Sequence, residues 1–192
     1  MIYRGPPSPV LLFVGEAPGR DEDRMGLPFV GSAGRILARA IEALSLEPWE
    51  FGITNVVMCR PPGNRFLPEA VGACAPWLQE KIHRLRPRGL ITLGSHALEA
   101  FRPDALPITS AAGRLWGWGG LPLFPLLHPA ALLHGPRYRA RWEEDLRSLR
   151  SVLPDLRAGR IPPGETAPGP VPGTTGGPFA KTLLQGGDVP SP

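Results

Sequence analysis

One stretch decides the fold of this sequence: Val10-Leu-Leu-Phe-Val-Gly-Glu-Ala-Pro-Gly19. Five consecutive apolar residues, followed directly by a turn rich in Gly and Pro, are typical of a strand that is buried on both faces. Such strands belong to parallel sheets whose two faces are covered by helices. Ligands of these sheets bind beyond the carboxyl ends of the strands, so the turn after Val14 is the first place to look for a site.

Outward from this strand, strand and helix patterns alternate along the chain. Further strands are predicted over 51–57, 89–93 and 121–127, and helices over 32–44, 69–85, 95–101 and 137–152. Ser32 is placed to cap the first helix, and residues around Trp116 and Trp118 are expected to form a small ribbon. The alternation predicts an α/β domain with a mainly parallel sheet and helices on both faces.

The composition separates a domain from a tail. The 192 residues include 26 Pro and 24 Gly, about twice the ordinary share, and the excess is concentrated from Arg157 onward. We expect residues 1–156 to form one domain, which is long enough to bury a core without staples. Residues 157–192 are expected to be a disordered tail, in which the short apolar patch from Phe179 to Leu184 is either inert or a partner-binding segment.

Several classes of protein are excluded by simple counts. No apolar run approaches the ~18–20 residues of a membrane span, and Met1 to Pro9 lacks the apolar region of a signal peptide. Two cysteines cannot form a disulfide framework. We therefore expect a cytoplasmic monomer with no membrane partner.

The basic residues are almost all arginines. Of 21 Lys and Arg residues only Lys81 and Lys181 are lysines, and the formal net charge is +4. A codon bias explains most of this excess, whereas phosphate binding by guanidinium groups is the functional alternative. The charge permits a nucleic-acid partner but does not establish one.

Three loops that follow predicted strands carry candidate site residues. Glu16 follows the first strand, Asn55 lies near the end of the second, and His128 follows the last. An amide that donates and accepts at once suits the edge of a base. Each residue also has an ordinary alternative: a solvated Glu, an Asn that caps a turn, and a buried structural His. Phe29 is either part of the core or an aromatic shelf for a base.

Taken together, these motifs resemble the uracil-DNA glycosylase superfamily, and within it family 4. The resemblance covers residues 10–149 and rests on an ordered set of motifs: Gly15-Glu-Ala-Pro-Gly19 with Glu22-Asp23, Gly26-Leu-Pro-Phe-Val-Gly31, Ile53-Thr-Asn-Val-Val57, Cys59-Arg-Pro-Pro62 with Asn64-Arg65, Leu93-Gly94, and His128-Pro-Ala-Ala-Leu-Leu133. It implies a three-layer α/β/α domain with a four-stranded parallel sheet. It also implies hydrolysis of the bond between uracil and deoxyribose in DNA, by a monofunctional enzyme of base-excision repair that flips the base out of the helix.

The resemblance also implies roles for residues of this sequence. Glu16 would orient the attacking water, and His128 would donate to uracil O2 as negative charge grows on the leaving base. Asn55 would bind the uracil edge and Phe29 would stack on the base. The remaining residues would hold the base, fill the gap in the helix or contact phosphates: Ala17 and Gly19 through their backbone, Leu132 or Leu133 as a wedge, and Arg137, Arg139 and Arg141 at the DNA backbone.

One part of the family pattern is incomplete in this sequence. Family 4 enzymes hold a [4Fe–4S] cluster with four cysteines, and Cys59 and Cys74 match the second pair. The first pair is absent from Met1 to Pro9. Either upstream residues supply it or this member has lost the cluster, because two thiolates do not complete a four-ligand site. We therefore assign no cofactor to this chain by itself; a [4Fe–4S] cluster would need further cysteine ligands from outside it.

Two further functions stay open at this point. One is a DNA-binding relative without catalytic activity, and it is motivated by the missing cysteines. The other is a glycosylase for a different deaminated base, such as hypoxanthine or xanthine. The amide of Asn55 favours uracil over these bases.

Overall fold

The structure is a computed structural model that describes residues 3–161. The expected tail falls almost entirely outside the described residues, so its disorder and the Phe179–Leu184 patch stay predictions. The last described helix ends at Ala158, just beyond the expected end of the domain at residue 156.

A single six-stranded sheet forms the centre of the fold. Its strands are β1 (Tyr3–Arg4), β2 (Leu11–Gly15), β3 (Phe51–Asn55), β4 (Gly89–Leu93), β5 (Trp116–Trp118) and β6 (Leu121–Leu126). They lie in the order β1-β3-β2-β4-β6-β5. The four central strands are parallel, and β1 and β5 add antiparallel edges. The expectation of a four-stranded, mainly parallel sheet is therefore wrong: the sheet is mixed, because two short edge strands without a detectable period extend it.

Six α-helices connect and cover the strands in the described residues. They are α1 (Arg20–Met25), α2 (Ser32–Ala43), α3 (Pro68–Leu85), α4 (Ser95–Phe101), α5 (Ile108–Ala111) and α6 (Pro136–Ala158), with short 3₁₀ helices at Pro62–Asn64 and Pro129–His134. Sequence patterns missed α1 and α5, which are too short to show a helical period. The expected cap by Ser32 is also wrong, since Gly31 occupies the N-cap position and no side chain caps α2.

The core lies on both faces of the sheet. Successive residues of β2 point to opposite faces, so Leu11 and Phe13 pack with α2 and α6, whereas Leu12 and Val14 pack with α3 and α4. All four side chains are at most 1% exposed, as the continuous apolar run predicts. Each contributes roughly 1.5–3 kcal/mol of burial free energy. No helix in the described part of the chain is long and apolar enough to cross a membrane.

The strand register brings the polar loops to one edge. Gly15 pairs with Asn55, and the ends of β4 and β6 pair through Leu93 and Leu126. The four central strands therefore end side by side, and the loops that follow them meet at the carboxyl edge of the sheet.

Two glycines in helices, Gly34 and Gly72, differ in the space around their Cα atoms. A Cβ at Gly34 of α2 would lie 1.9 Å from the carbonyl oxygen of Phe29, whereas a Cβ at Gly72 of α3 would meet nothing within 4 Å. We expect Gly34→Ala to lower the free energy of unfolding by about 2–4 kcal/mol through this backbone clash. Gly72→Ala should leave stability unchanged or raise it by about 0.5–1 kcal/mol. Urea denaturation of both variants measures the difference, and equal effects would contradict the packing described.

Candidate active site

A cavity of about 540 Å³ opens at the carboxyl edge of the sheet. The structure brings together at its wall all six residues that the sequence assigned to base and water binding: Glu16, Ala17, Gly19, Phe29, Asn55 and His128. They come from four separate segments of the chain: the turn after β2, the loop between α1 and α2, the end of β3 and the loop after β6. Only the folded chain unites them. The volume is sufficient for a small planar ligand.

Asn55 is the most buried polar residue of the cavity wall. It ends β3, is 1% exposed, and its Oδ1 has no hydrogen-bond partner among the described residues. A buried acceptor without a donor costs about 1–3 kcal/mol. The side chain approaches Gly15 so closely that a Cβ there would lie 2.5 Å from Oδ1. The arrangement therefore holds an acceptor ready for a donor that a ligand brings.

Phe29 closes the same side of the cavity in a strained conformation. Its φ is +54°, in the left-handed region that non-glycine residues seldom adopt. A Cβ at Gly15 would lie 2.6 Å from its ring, and the ring lies 5.9 Å from that of His128 between centroids, at an interplanar angle of 34°. The backbone at Phe29 therefore needs an external restraint to keep the ring in place.

Glu22 supplies that restraint, and sequence reasoning missed its role. Its Oε1 accepts hydrogen bonds from the backbone N–H groups of Val30 at 2.9 Å and Gly31 at 2.8 Å. Both amides directly follow Phe29, so the carboxylate of α1 holds the strained segment. Glu22 belongs to the motif set of the family resemblance, but no local period or spacing indicates which backbone groups its carboxylate reaches.

His128 is held in one neutral form. The backbone N–H of Ala130 donates to its Nδ1 at 3.2 Å, so Nδ1 is an acceptor and the ring proton lies on Nε2. Burial lowers the pKa of His128 to about 4, and the opposing charge of Glu22 only partly offsets this effect. Above that pH the cavity wall therefore carries a neutral N–H donor.

Glu16 contributes a carboxyl group whose pKa is raised, whereas the pKa of His128 is lowered. It follows β2, and its carbonyl oxygen accepts from the N–H of Val57 at 2.9 Å, which anchors the turn. Burial raises the pKa of Glu16, while the charge of His96, in the first turn of α4, lowers it. Sequence reasoning did not consider His96, because it carries no motif of its own.

The expected wedge residues differ in exposure. Both lie in the 3₁₀ helix Pro129–His134 beside the cavity. Leu132 packs partly against the core, whereas the side chain of Leu133 is 55% exposed. Of the two, Leu133 is therefore free to reach a ligand.

The three expected phosphate contacts all lie in α6, which begins at Pro136. The helix predicted over 137–152 therefore begins one residue earlier. Arg137 and Arg139 are exposed, and the guanidinium of Arg137 covers the ring of Tyr138 at 4.7 Å. Arg141 instead forms an ion pair with buried Asp145 at 2.9 Å.

Arg141 also stabilises a turn of the fold. Its Nη2 donates to the carbonyl oxygen of Ala112 at 2.8 Å. These two contacts hold the guanidinium of Arg141 against Asp145 and the turn at Ala112. Arg141 therefore makes contacts within the fold, whereas Arg137 and Arg139 are exposed to solvent.

The two cysteines do not by themselves fit a four-thiolate cluster. Cys59 is exposed and Cys74 is partly buried, with its Sγ accepting from the N–H of Met58 at 3.4 Å. Within residues 3–161 no group of three or more His, Cys, Asp or Glu residues could hold a metal ion. Next to Cys74, buried Lys81 donates to Thr54 Oγ1 at 2.6 Å and to Met58 Sδ at 3.3 Å. This lysine joins α3 to the end of β3, beside Asn55.

Arg60 and Asn64 form a polar pair at the cavity wall, a contact that the sequence analysis did not predict. Nε of Arg60 donates to Oδ1 of Asn64 at 2.7 Å, and both residues belong to the cavity wall. The pair places a positive charge in the loop after β3.

Comparison with known proteins gives a consistent result. Residues 2–150 match the model of the uracil DNA glycosylase superfamily. A type-4 uracil-DNA glycosylase of Sulfurisphaera tokodaii is 40% identical over 158 residues, which cover 77% of this chain and 72% of the relative. A type-4 enzyme of Archaeoglobus fulgidus is 36% identical over 72% of this chain and 74% of its own. A type-4 enzyme of Thermotoga maritima is 39% identical over 74% and 77%.

The state of His128 is directly measurable. Because burial lowers its pKa to about 4, the imidazole should stay neutral, with the proton on Nε2, from pH 8 down to about pH 5 in ¹⁵N NMR spectra. The unfolded chain takes up this proton near pH 6.5. The stabilising contribution of neutral His128 is therefore fully present above pH 6.5 and is lost as the pH falls towards 4. His128→Gln should lack this loss, and a His128 titration near pH 6.5 in the folded protein would contradict the assignment.

Proposed function

The chain belongs to the uracil DNA glycosylase superfamily, and we propose that it hydrolyses the N-glycosidic bond of uracil in DNA. It acts on a flipped nucleotide, releases free uracil and leaves an abasic site. The observation that carries this proposal is the buried Oδ1 of Asn55, an acceptor without a donor at the wall of the cavity. Uracil supplies the missing donor.

Asn55 reads the edge of the base. The N3–H of uracil donates to Oδ1, while uracil O4 accepts from the amide nitrogen. Cytosine has an acceptor at N3 and an amino group at C4, so it would oppose acceptor to acceptor and donor to donor. Filling the orphaned acceptor removes its desolvation cost only for the correct base. The amide thus couples binding to discrimination.

His128 stabilises the leaving group. When the bond between uracil N1 and the sugar C1′ breaks, its electron pair goes to the uracil ring and negative charge develops at O2. The neutral Nε2–H of His128 donates to that oxygen, and a hydrogen bond that strengthens as charge develops lowers the barrier. One donor of this type is worth roughly 3–4 kcal/mol.

Glu16 acts on the other side of the breaking bond. Its carboxylate orients the water that attacks C1′, and its negative charge favours the positive charge that the sugar acquires. No lysine nucleophile is needed, so the enzyme is monofunctional. The backbone from Ala17 to Gly19 completes the contacts with base and water.

Phe29 stacks on the flipped base, and Leu133 fills the gap that the base leaves in the helix. The exposure of Leu133 supports it over Leu132 as the wedge. Arg137 and Arg139 contact phosphates, since both are exposed on α6 beside the wedge. The ion pair of Arg141 with Asp145 argues against a phosphate contact by that residue.

The partner is uracil-containing DNA. A monomeric state and a cytoplasmic location stay predictions from the sequence. No step of the reaction above uses an iron–sulfur cluster, because the described residues do not complete one.

Release of free uracil from an oligonucleotide with a single dU tests the proposal. We expect release from the wild type, and His128→Ala should be slower by about 10²–10³-fold, the loss expected for one transition-state donor. Circular dichroism checks that the variant is folded. Oligonucleotides with cytosine, hypoxanthine or xanthine at the same position serve as controls.

The outcomes separate three functions. Faster release of hypoxanthine or xanthine than of uracil would replace the proposal by a glycosylase for another deaminated base. Salt-sensitive DNA binding by folded protein that releases no base would identify a non-catalytic DNA-binding relative.

The restraint on Phe29 gives a second prediction. Glu22→Ala should lower the rate of uracil release by about 10-fold or more. Without the carboxylate the ring of Phe29 is free to shift, and a misplacement of about 1 Å can lower the rate by about 10²-fold. Glu22→Gln should retain most of the rate, since its amide oxygen still accepts from Val30 and Gly31. Asp23→Ala, at the exposed neighbouring position of α1, is the matched control. Equal rates for Glu22→Ala and Asp23→Ala would show that the restraint has no role.

A further inference from the structure

We propose that Arg60 binds a backbone phosphate next to the flipped nucleotide, on the side of the cavity opposite the arginines of α6. The proposal deepens the function proposed above and rests on it, since it adds a contact with the same DNA strand. Arg60 lies in the loop after β3. It is not among the arginines that the sequence analysis assigned to phosphates.

The guanidinium of Arg60 lies at the cavity wall with most of its donors unpaired. Arg60 is half-buried, and its Nε donates to Oδ1 of Asn64 at 2.7 Å. No carboxylate within residues 3–161 forms an ion pair with it. Its Nη1 and Nη2 therefore form a fork without a partner in the described part of the chain. Such a fork matches two oxygen atoms of one phosphate.

The loop holds this fork in place. Arg60 precedes Pro61, which restricts its backbone to extended conformations. Gly63 and Asn64 have φ of +61° and +56°, and the N–H of Asn64 donates to the carbonyl oxygen of Pro61 at 3.0 Å. Asn adopts this left-handed region more readily than most residues, and in it Oδ1 reaches Nε of Arg60. Less side-chain freedom is then lost when a ligand binds.

The other charges of the cavity wall create a need for this cation. Three carboxylates line the cavity: Glu16, Asp21 and Glu22. A second guanidinium, that of Arg20, lies 3.6 Å from Asp21 and is paired with it. A phosphate close to these carboxylates is repelled unless a positive charge compensates. Arg60 supplies that charge from a segment, residues 56–68, that contains no Asp or Glu.

The sheet order places Arg60 and the arginines of α6 on opposite sides of the cavity. The central strands lie in the order β3-β2-β4-β6. Arg60 follows β3, whereas the chain after β6 leads into α6 with Arg137 and Arg139 near its start. The turn with Glu16 follows β2 and lies between them. A nucleotide has one phosphate on each side of its sugar, so a strand that crosses the cavity presents one phosphate to Arg60 and the other to α6.

A double-mutant cycle between Arg60 and the phosphate tests the proposal. The probe is duplex DNA with one 2′-fluoro-2′-deoxyuridine, whose glycosidic bond resists hydrolysis, and a neutral methylphosphonate replaces either phosphate that flanks it. Fluorescence anisotropy measures Kd. Arg60→Gln should weaken binding about 10-fold, the effect of one charge-assisted hydrogen bond. The methylphosphonate at one of the two positions should weaken wild-type binding by a similar factor. Both changes together should again cost about 10-fold, whereas independent effects would multiply to about 100-fold.

Two variants control the experiment. Arg88→Gln removes the same charge at an exposed position directly before β4, at the opposite edge of the sheet, and should leave Kd unchanged. The slope of log K against log salt concentration should fall by about 0.9 in Arg60→Gln and stay constant in Arg88→Gln. Asn64→Gly keeps a residue that tolerates the left-handed backbone but removes the acceptor for Nε. It should lower the coupling between Arg60 and the phosphate without abolishing it.

The results distinguish this proposal from the proposed function. An unchanged affinity of folded Arg60→Gln, or independent effects at both flanking phosphates, would overturn the phosphate contact even if the wild type releases uracil. Coupling in a protein whose wild type releases no uracil from an ordinary dU oligonucleotide would overturn the proposed function. The contact of Arg60 with the DNA backbone would then still be established.

Discussion

The cavity depends on the absence of a side chain at Gly15. This glycine ends β2 and pairs with Asn55, and any Cβ would lie 2.5 Å from the amide oxygen of Asn55 and 2.6 Å from the ring of Phe29. Because Gly15 leaves this space, the amide and the ring approach the same backbone from two sides. Glu22 then fixes the strained segment after Phe29. A turn that looks ordinary in the sequence therefore determines where the base-reading groups lie.

Burial in this cavity acts on two ionisable groups in opposite ways. It lowers the pKa of His128, which yields a neutral N–H donor, and it raises the pKa of Glu16, which works against the carboxylate. The same low polarity is thus useful for the leaving group and costly for the water-orienting residue. The charge of His96, in the first turn of α4, lowers the pKa of Glu16 again. Burial therefore disfavours the charged form of both groups, which a list of motif residues does not reveal.

Much of the fold and most of the site follow from local patterns. The continuous apolar run of β2 predicted a doubly covered strand, and residues after three strands predicted the polar wall of the cavity. The edge strands β1 and β5 have only two and three residues, too few to show an alternation of side chains. The sequence therefore predicted four strands where the sheet has six. Arg141 looked like its two neighbours, yet its ion pair with Asp145 depends on side-chain packing that spacing does not encode.

The sequence by itself determined the alternation of strands and helices, the three polar loops and the family resemblance, since these depend on residue type and order. Only the tertiary structure decided which groups meet. It showed the acceptor of Asn55 without a donor, the tautomer of His128 and the contact of Glu22 with the segment after Phe29. These features arise between residues far apart in the chain, because hydrogen bonds and charges act through space.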